Sequence, residues 1–281
     1  MNSSLYLLAV TAGVFHAIWN FASKKTKGNL SVLWLGQLFG VIFGLPLAGA
    51  ALFSTEIKLA AVPYILASGL IHAFYFFYLG KSYQYGDIST VYPLARGIGV
   101  AGTSILGVFL LGEEFPLIGI CGIGAVCVGI LLLGFSGYKL GCNPLALRFA
   151  VGVGLIISGY SIIDKAGVAS IDPVVYIISQ AFLVVVFLSP VIFGHHCEEL
   201  KEAWRGLKKY CFIVGIGSIG TYLLILFAFQ KGPAGYIVAI RESSVAFGSL
   251  LGFLLLREPF TLIKGLGIAV ITLGLLLIKL G

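Results

Sequence analysis

The chain has 281 residues, 59% of them apolar and only 10% charged, with a mean hydropathy of +1.06. Soluble domains carry about 25% charged and 45–50% apolar residues, so this composition excludes a disordered protein, a nucleic-acid-binding domain and an ordinary water-soluble enzyme. The net charge of +7 fits Lys and Arg at the rims of membrane helices, and the chain reads as a polytopic membrane protein.

Apolar runs of about 18–24 residues, long enough to span a bilayer, predict ten helices and an all-α membrane fold. The first, Ser3–Phe21, lacks a basic leader and reads as a retained span. It carries His16, Trp19 and Asn20, with His16 and Asn20 on one helical face. The second, Leu30–Phe53, places Gly36, Gly40 and Gly44 at helix-packing spacing. The third, Leu59–Gly80, adds His72 and Tyr75, and Tyr83, Tyr85 and Tyr92 surround the start of the fourth, Ile88–Leu111. Arg96 stands roughly 12 Å of helix rise into that fourth span. Pro93 removes a helix hydrogen bond just before it, which makes Gly97, Gly99 and Gly102 hinge candidates; most of the 38 glycines read as contact surfaces. The fifth span is Leu117–Phe135.

The sixth, Leu145–Ile163, holds Ser158, Tyr160 and Ser161, and the seventh, Val174–Phe193, holds Tyr176 and Gln180. The charged stretch Gly194–Lys209 reads as a surface amphipathic segment. His195, His196 and Cys197 with Glu198 and Glu199 are adjacent, without the spacing of a metal site, so neither a metal nor a cofactor is expected. The eighth span is Tyr210–Gln230 and the ninth, Ala234–Leu256, contains Arg241 and Glu242, the latter read as the only acidic residue well inside a span. The tenth is Thr261–Lys279. The five cysteines have no paired spacing and imply no disulfide framework.

An ionisable group at bilayer depth costs at least ~2.5–3.5 kcal/mol, which makes it a functional candidate. Arg96 and Arg241 could clamp a carboxylate or phosphoryl group through their planar forks, or could cap carbonyls or pair with Glu242. Sequence neighbours do not face each other on an unbroken helix, so Glu242 is expected to meet a group on another span, and to carry a coupling proton or neutralise an arginine. His16, Trp19, Asn20, His72, Tyr75, Tyr92 and Tyr160 are the remaining candidates to line a wet cavity for a small solute. The alternatives are an interfacial aromatic belt and helix–helix hydrogen bonds. The sequence holds no nucleophile elbow, phosphate loop or base-stacking platform, so neither catalysis nor a nucleic-acid partner is expected.

The chain repeats itself. A shift of 145 positions lays Arg96 on Arg241, Glu113 on Glu258 and Gly122 on Gly267, with 17 identities over the 38 positions from Arg96 to Leu133. A looser match lays Trp19-Asn20 and Lys24 on Tyr160-Ser161 and Lys165. The two halves, 1–137 and 138–281, hold five spans each, so the second must enter the membrane from the opposite side. An inverted repeat of this kind supports rocking around a shared site.

The two turns Leu111-Gly112-Glu113-Glu114-Phe115 and Leu256-Arg257-Glu258-Pro259-Phe260, each before a glycine-bearing helix, resemble the EamA signature of the drug/metabolite transporter superfamily. Tyr92-Pro93-Leu94-Ala95-Arg96-Gly97 and His16-x-x-Trp19-Asn20-x-x-x-Lys24 resemble a subgroup of EamA-like permeases. The resemblance covers the chain and implies a secondary transporter of small metabolites without choosing among them. With Arg96 and Arg241 inside spans, the expected solute is small and polar or anionic, carried across a prokaryotic inner membrane by a monomer or homodimer, with protons as a further candidate partner. A passive channel and a proton-coupled exporter of amphipathic cations are the alternatives. Both termini are cytoplasmic in that family, whereas the excess of Lys and Arg in the odd-numbered connections, such as Lys24, Lys25, Lys27, Lys208 and Lys209, places them outside by the positive-inside rule.

Overall fold

Four helices begin at a residue whose side chain caps them, Asn29, Asn143, Asp172 and Thr261. The Asn29 side chain accepts the N–H groups of Ser31 and Val32, and Asn143 and Asp172 do the same for Leu145 and Val174 just ahead of a first-turn proline. These are the residues that satisfy orphan N–H groups best, and proline lacks an N–H to satisfy. The computed structural model describes residues 1–53, 59–86, 88–136, 143–256 and 261–281, with the backbone alone at 24, 88, 89, 136 and 251–256. The helices are α1 (Ser3–Lys25), α2 (Leu30–Leu52), α3 (Val62–Tyr85, entered through a 3-10 turn at Leu59–Ala61), α4 (Ile88–Leu111), α5 (Leu117–Ser136) and α6 (Pro144–Gly167). They continue as α7 (Pro173–His195), α8 (Cys197–Gly206), α9 (Lys208–Phe229), α10 (Ala234–Arg241), α11 (Ser243–Leu256) and α12 (Leu262–Leu280). Among the described residues nine helices are long and apolar enough to cross a membrane. α8 is the expected amphipathic segment, with Glu198 and Glu199 in its first turn and Arg205 in its last.

Two expectations need correction. The ninth apolar run is not one helix, because α10 ends at Arg241 and α11 starts at Ser243. Glu242 between them turns the chain through short i to i−3 hydrogen bonds, its N–H donating to the Ala239 carbonyl at 3.2 Å. α1 packs directly on this break, where a Cβ on Gly13 would lie 3.0 Å from the Arg241 carbonyl oxygen. The expected hinge after Pro93, in contrast, is a continuous α4. There a Cβ on Gly99 would meet Ile157 of α6 at 2.7 Å, so Gly99 serves close packing.

The packing is symmetric between the halves. α3 packs on α6 as α1 packs on α9, and α4 packs on α6 as α1 packs on α10 and α11. α2 meets α7, and α5 meets α12. The last pair makes a glycine seam: Gly122 lies against the Gly274 carbonyl and Gly129 against that of Gly267. This order makes α5 and α12 antiparallel, and α2 and α7 are antiparallel too, with Gly44 at Ile178 and Trp34 bonded to the Val185 carbonyl. Where lipid offers no hydrophobic drive between helices, such backbone approach supplies the packing energy. Two apolar clusters result, one including Ile130, Ile240 and Ile271 and the other including Leu33, Ile157 and Ile192. The polar interior draws on residues of both.

Candidate functional site

α1 brings His16 and Trp19 together edge to face, with ring centroids 4.9 Å apart. The Trp19 indole N–H donates to His16 Nδ1 at 3.1 Å, and the ring's other nitrogen, Nε2, meets Arg96 Nη2. Arg96 also donates to Glu242 Oε1 at 3.4 Å and stacks over Tyr92, its guanidinium carbon 5.0 Å from the ring centroid. Arg241 reaches the same Oε1 through Nε at 3.3 Å and Nη2 at 3.0 Å. The helix break makes this neighbour pairing possible, so Glu242 meets both a group on another helix and the residue beside it. Arg96 and Arg241 are each 2% exposed and Glu242 is fully buried. Glu242 Oε2 has no hydrogen-bond partner among the described residues.

The proton inventory of His16 is informative. An indole N–H only donates, so a neutral ring that accepts it at Nδ1 carries its own proton on Nε2. Nε2–H then faces Arg96, whose guanidinium has no acceptor. In that tautomer Nε2–H and the guanidinium are both donors, and in the other Nε2 accepts from Arg96; in either, the ring stands beside a cluster of two cations and one anion.

A second polar cluster lies between α3, α6, α7 and α9, and its centre is absent from the expected site. Asp164 is fully buried, which corrects the reading of Glu242 as the only acidic residue inside a span. The Tyr176 hydroxyl donates to Asp164 Oδ1 at 2.8 Å and the Tyr222 hydroxyl donates to Oδ2. His72 Nε2 stands 4.0 Å from Oδ2, and its Nδ1 lies 3.0 Å from the Ser68 carbonyl oxygen. The His72 ring stacks on Tyr160 at 4.1 Å, and Tyr75 meets Tyr160 edge to face at 5.8 Å. Beside Lys165, Asp164 looks like a helix rim in the sequence, but α6 runs a turn beyond the expected end at Ile163. The usable signal was its spacing, four residues after Tyr160 on the same face.

Between the clusters lies a cavity of about 50 Å³. His16 and Trp19, then His72, Tyr75 and Phe76, Tyr160, Tyr222 and Arg241 line it. Gln37 of α2 and Gln180 of α7 contribute to the wall, whereas α4 does not. Arg96 and Tyr92 therefore stand behind the wall, contrary to expectation. Asn20 is also outside it, its amide donating to the His16 carbonyl at 2.8 Å. The volume admits a few waters, against roughly 300 Å³ or more for a ligand pocket.

The acidic turn before α5 has a structural task. Glu113 accepts the backbone N–H groups of Ala234 at 2.5 Å and Gly235 at 3.3 Å, capping α10 from a distant part of the chain. Lys165 donates to the carbonyls of Phe229 and, at 2.8 Å, of Gly232. The matching turn at Glu258 and the Lys24 side chain lie outside the described residues.

With this geometry in place, comparison with known proteins is informative. The model of the family described as "EamA-like transporter family" matches residues 3–135 and again 145–280. An uncharacterised transporter of Bacillus subtilis (strain 168), YwfM, is 30% identical over 160 residues, covering 54% of this chain and 51% of that protein. This chain thus aligns with about half of YwfM's length. A protein named guanidinium exporter from Yersinia pseudotuberculosis serotype I (strain IP32953) is 33% identical over 126 residues, 45% of this chain and 92% of its own length. The protein of that name from Yersinia pestis matches equally. A solved crystal structure superimposes with a TM-score of 0.78 at 18% identity, over 100% of this chain and 98% of that one, a likeness of fold.

Proposed function

We propose that this chain, which belongs to the EamA-like transporter family, moves a small anionic or polar metabolite across a membrane by alternating access. Family membership and the nine apolar helices make it a multi-pass membrane transporter; the solute and the mechanism are the proposal. α10 and α11 together make a tenth crossing, interrupted at Glu242. Five crossings in each half, 1–137 and 138–281, insert the halves in opposite senses, and the two rock against each other around the cavity.

The observation that carries the solute class is the surplus positive charge: two buried guanidiniums, Arg96 and Arg241, share the one carboxylate of Glu242, and charge-assisted bonds from a guanidinium to an oxyanion are the strong kind. Arg241 supplies the cavity-facing end of the same charge. His72, Tyr75, Tyr160 and Trp19 offer rings and polar edges to the rest of the solute. Glu242, held by two guanidiniums, serves as their fixed counter-ion.

The test is uptake of labelled carboxylates, organophosphates and cations into proteoliposomes. Saturable uptake of an anion, lowered at least about tenfold in Arg96→Ala and Arg241→Ala (roughly 1.4 kcal/mol), supports the reading. Wild-type uptake by both variants contradicts it. The name of the Yersinia relatives favours a second reading, export of a guanidinium-like cation. Guanidinium flux that persists in both arginine variants selects that one, and flux without saturation selects a passive channel.

A further inference from the structure

We infer that Asp164 and His72 form a proton-binding site distinct from the Arg96–Arg241–Glu242 cluster, and that this proton is exchanged with the cavity. Its part in transport rests on the carrier reading above; the proton binding itself does not.

His72 Nδ1 lies 3.0 Å from the Ser68 carbonyl oxygen and 3.3 Å from Ser68 Oγ. A carbonyl only accepts, so Nδ1 carries the proton of the neutral ring and Nε2 is left as a bare acceptor. Nε2 faces Asp164 Oδ2, a second acceptor, at 4.0 Å. Two buried acceptors thus oppose each other. One added proton resolves the opposition, and it rests on Asp164 as carboxylic acid beside neutral imidazole, the arrangement that buries no charge. Loss of the proton to water leaves one uncompensated negative charge out of reach of solvent, which is costly until the cavity opens.

Among the described residues no cation is paired with Asp164. The titratable groups facing Asp164 are His72 on α3, Tyr176 on α7 and Tyr222 on α9. On α6 itself, Tyr160 stacks on His72, and the Lys165 ammonium is turned onto the carbonyls of Phe229 and Gly232. On α10, Arg241 spends its fork on Glu242. Glu242 lies between two guanidiniums, whereas Asp164 has two tyrosine hydroxyls and one imidazole for partners. The repeat sharpens the point, since the register that lays Trp19 on Tyr160 lays Ser23 on Asp164. Only the second half carries the group.

The connection to the solute is geometric. His72, Tyr222 and Arg241 all line the cavity, so a proton passes between Asp164 and cavity water through His72 Nε2. An anion beside Arg241 makes the proton at Asp164 more favourable, and linkage is reciprocal, so proton and anion raise each other's affinity. A cationic solute would compete with the proton.

The test is an infrared pH titration of the purified full chain in lipid nanodiscs, following the carbonyl band of a protonated carboxyl group. Wild type is expected to show a titrating band that is missing from Asp164→Asn. Persistence of the band in Asp164→Asn or its absence from wild type overturns the proposal. His72→Gln keeps the question open to test should Asp164→Asn not fold: a shifted midpoint supports the pair, and an unmoved one overturns it. A titrating Asp164 in a chain without saturable flux leaves the proton site standing and removes the carrier. Saturable flux without that band does the opposite.

Discussion

Arg96 and Arg241, which occupy equivalent places in the two halves, donate to one and the same oxygen, Glu242 Oε1, at 3.4 and 3.0 Å. The halves are therefore joined at their centre by a triad whose carboxylate comes from the second half alone, since the position matching Glu242 in the first is Gly97.

This triad predicts that Glu242→Gln is strongly destabilising. The substitution leaves two buried guanidiniums without a counter-charge, and breaking a buried pair from one side costs about 3–5 kcal/mol. Thermal unfolding in detergent should show a large fall in Tm, and the double variant Arg241→Gln/Glu242→Gln should recover part of it. A Glu242→Gln protein as stable as wild type would show that the triad does not hold the halves together.

The cap on α10 makes a smaller claim. Glu113→Gln removes the charge that the Ala234 and Gly235 N–H groups bind, and loss of a good cap costs about 0.5–2 kcal/mol. The exposed neighbour Glu114 serves as control, with a change within about 0.5 kcal/mol on Glu114→Gln. Parallel melting curves of the two variants check this; equal stability of both would refute the capping role.

The glycine seam of α5 and α12 should tolerate no side chain on its contact line. A Cβ on Gly129 would sit 2.8 Å from the Gly267 carbonyl oxygen and one on Gly122 would sit 2.9 Å from that of Gly274. Both obstacles are backbone, so Gly122→Val and Gly129→Val should cost about 1–3 kcal/mol each. Gly124, with open space at its Cβ, should accept alanine without loss. Unfolding of the three purified variants separates these cases.

Much of this arrangement is legible in the residues, for identifiable reasons. Apolar length is a strong signal when lipid is the solvent, so α4 begins and ends where the composition places it, at Ile88 and Leu111. The pairing of Arg96 with Arg241 follows from the repeat, because arginine is rare in such helices. Three features were not legible. The break at Glu242 leaves no proline or glycine behind, and it is visible only when α1 is seen packed against it through Gly13. Asp164 lies one residue past the predicted end of the sixth span at Ile163, and its hydrogen-bond partners, Tyr176 and Tyr222, come from other helices. Asn20 and Tyr92 matched a motif by type, yet one bonds to the His16 backbone and the other lies under Arg96 behind the cavity wall.

The central claim is that the halves enclose a pocket that carries an anionic solute from one side to the other. Counterflow in proteoliposomes tests it most directly, with labelled carboxylates and organophosphates outside and the same compounds unlabelled inside. The account predicts transient, saturable accumulation of label that is stimulated by the internal compound and falls about tenfold or more in Arg96→Ala. Uptake that rises linearly with concentration, ignores the internal compound and is unchanged in Arg96→Ala would contradict it.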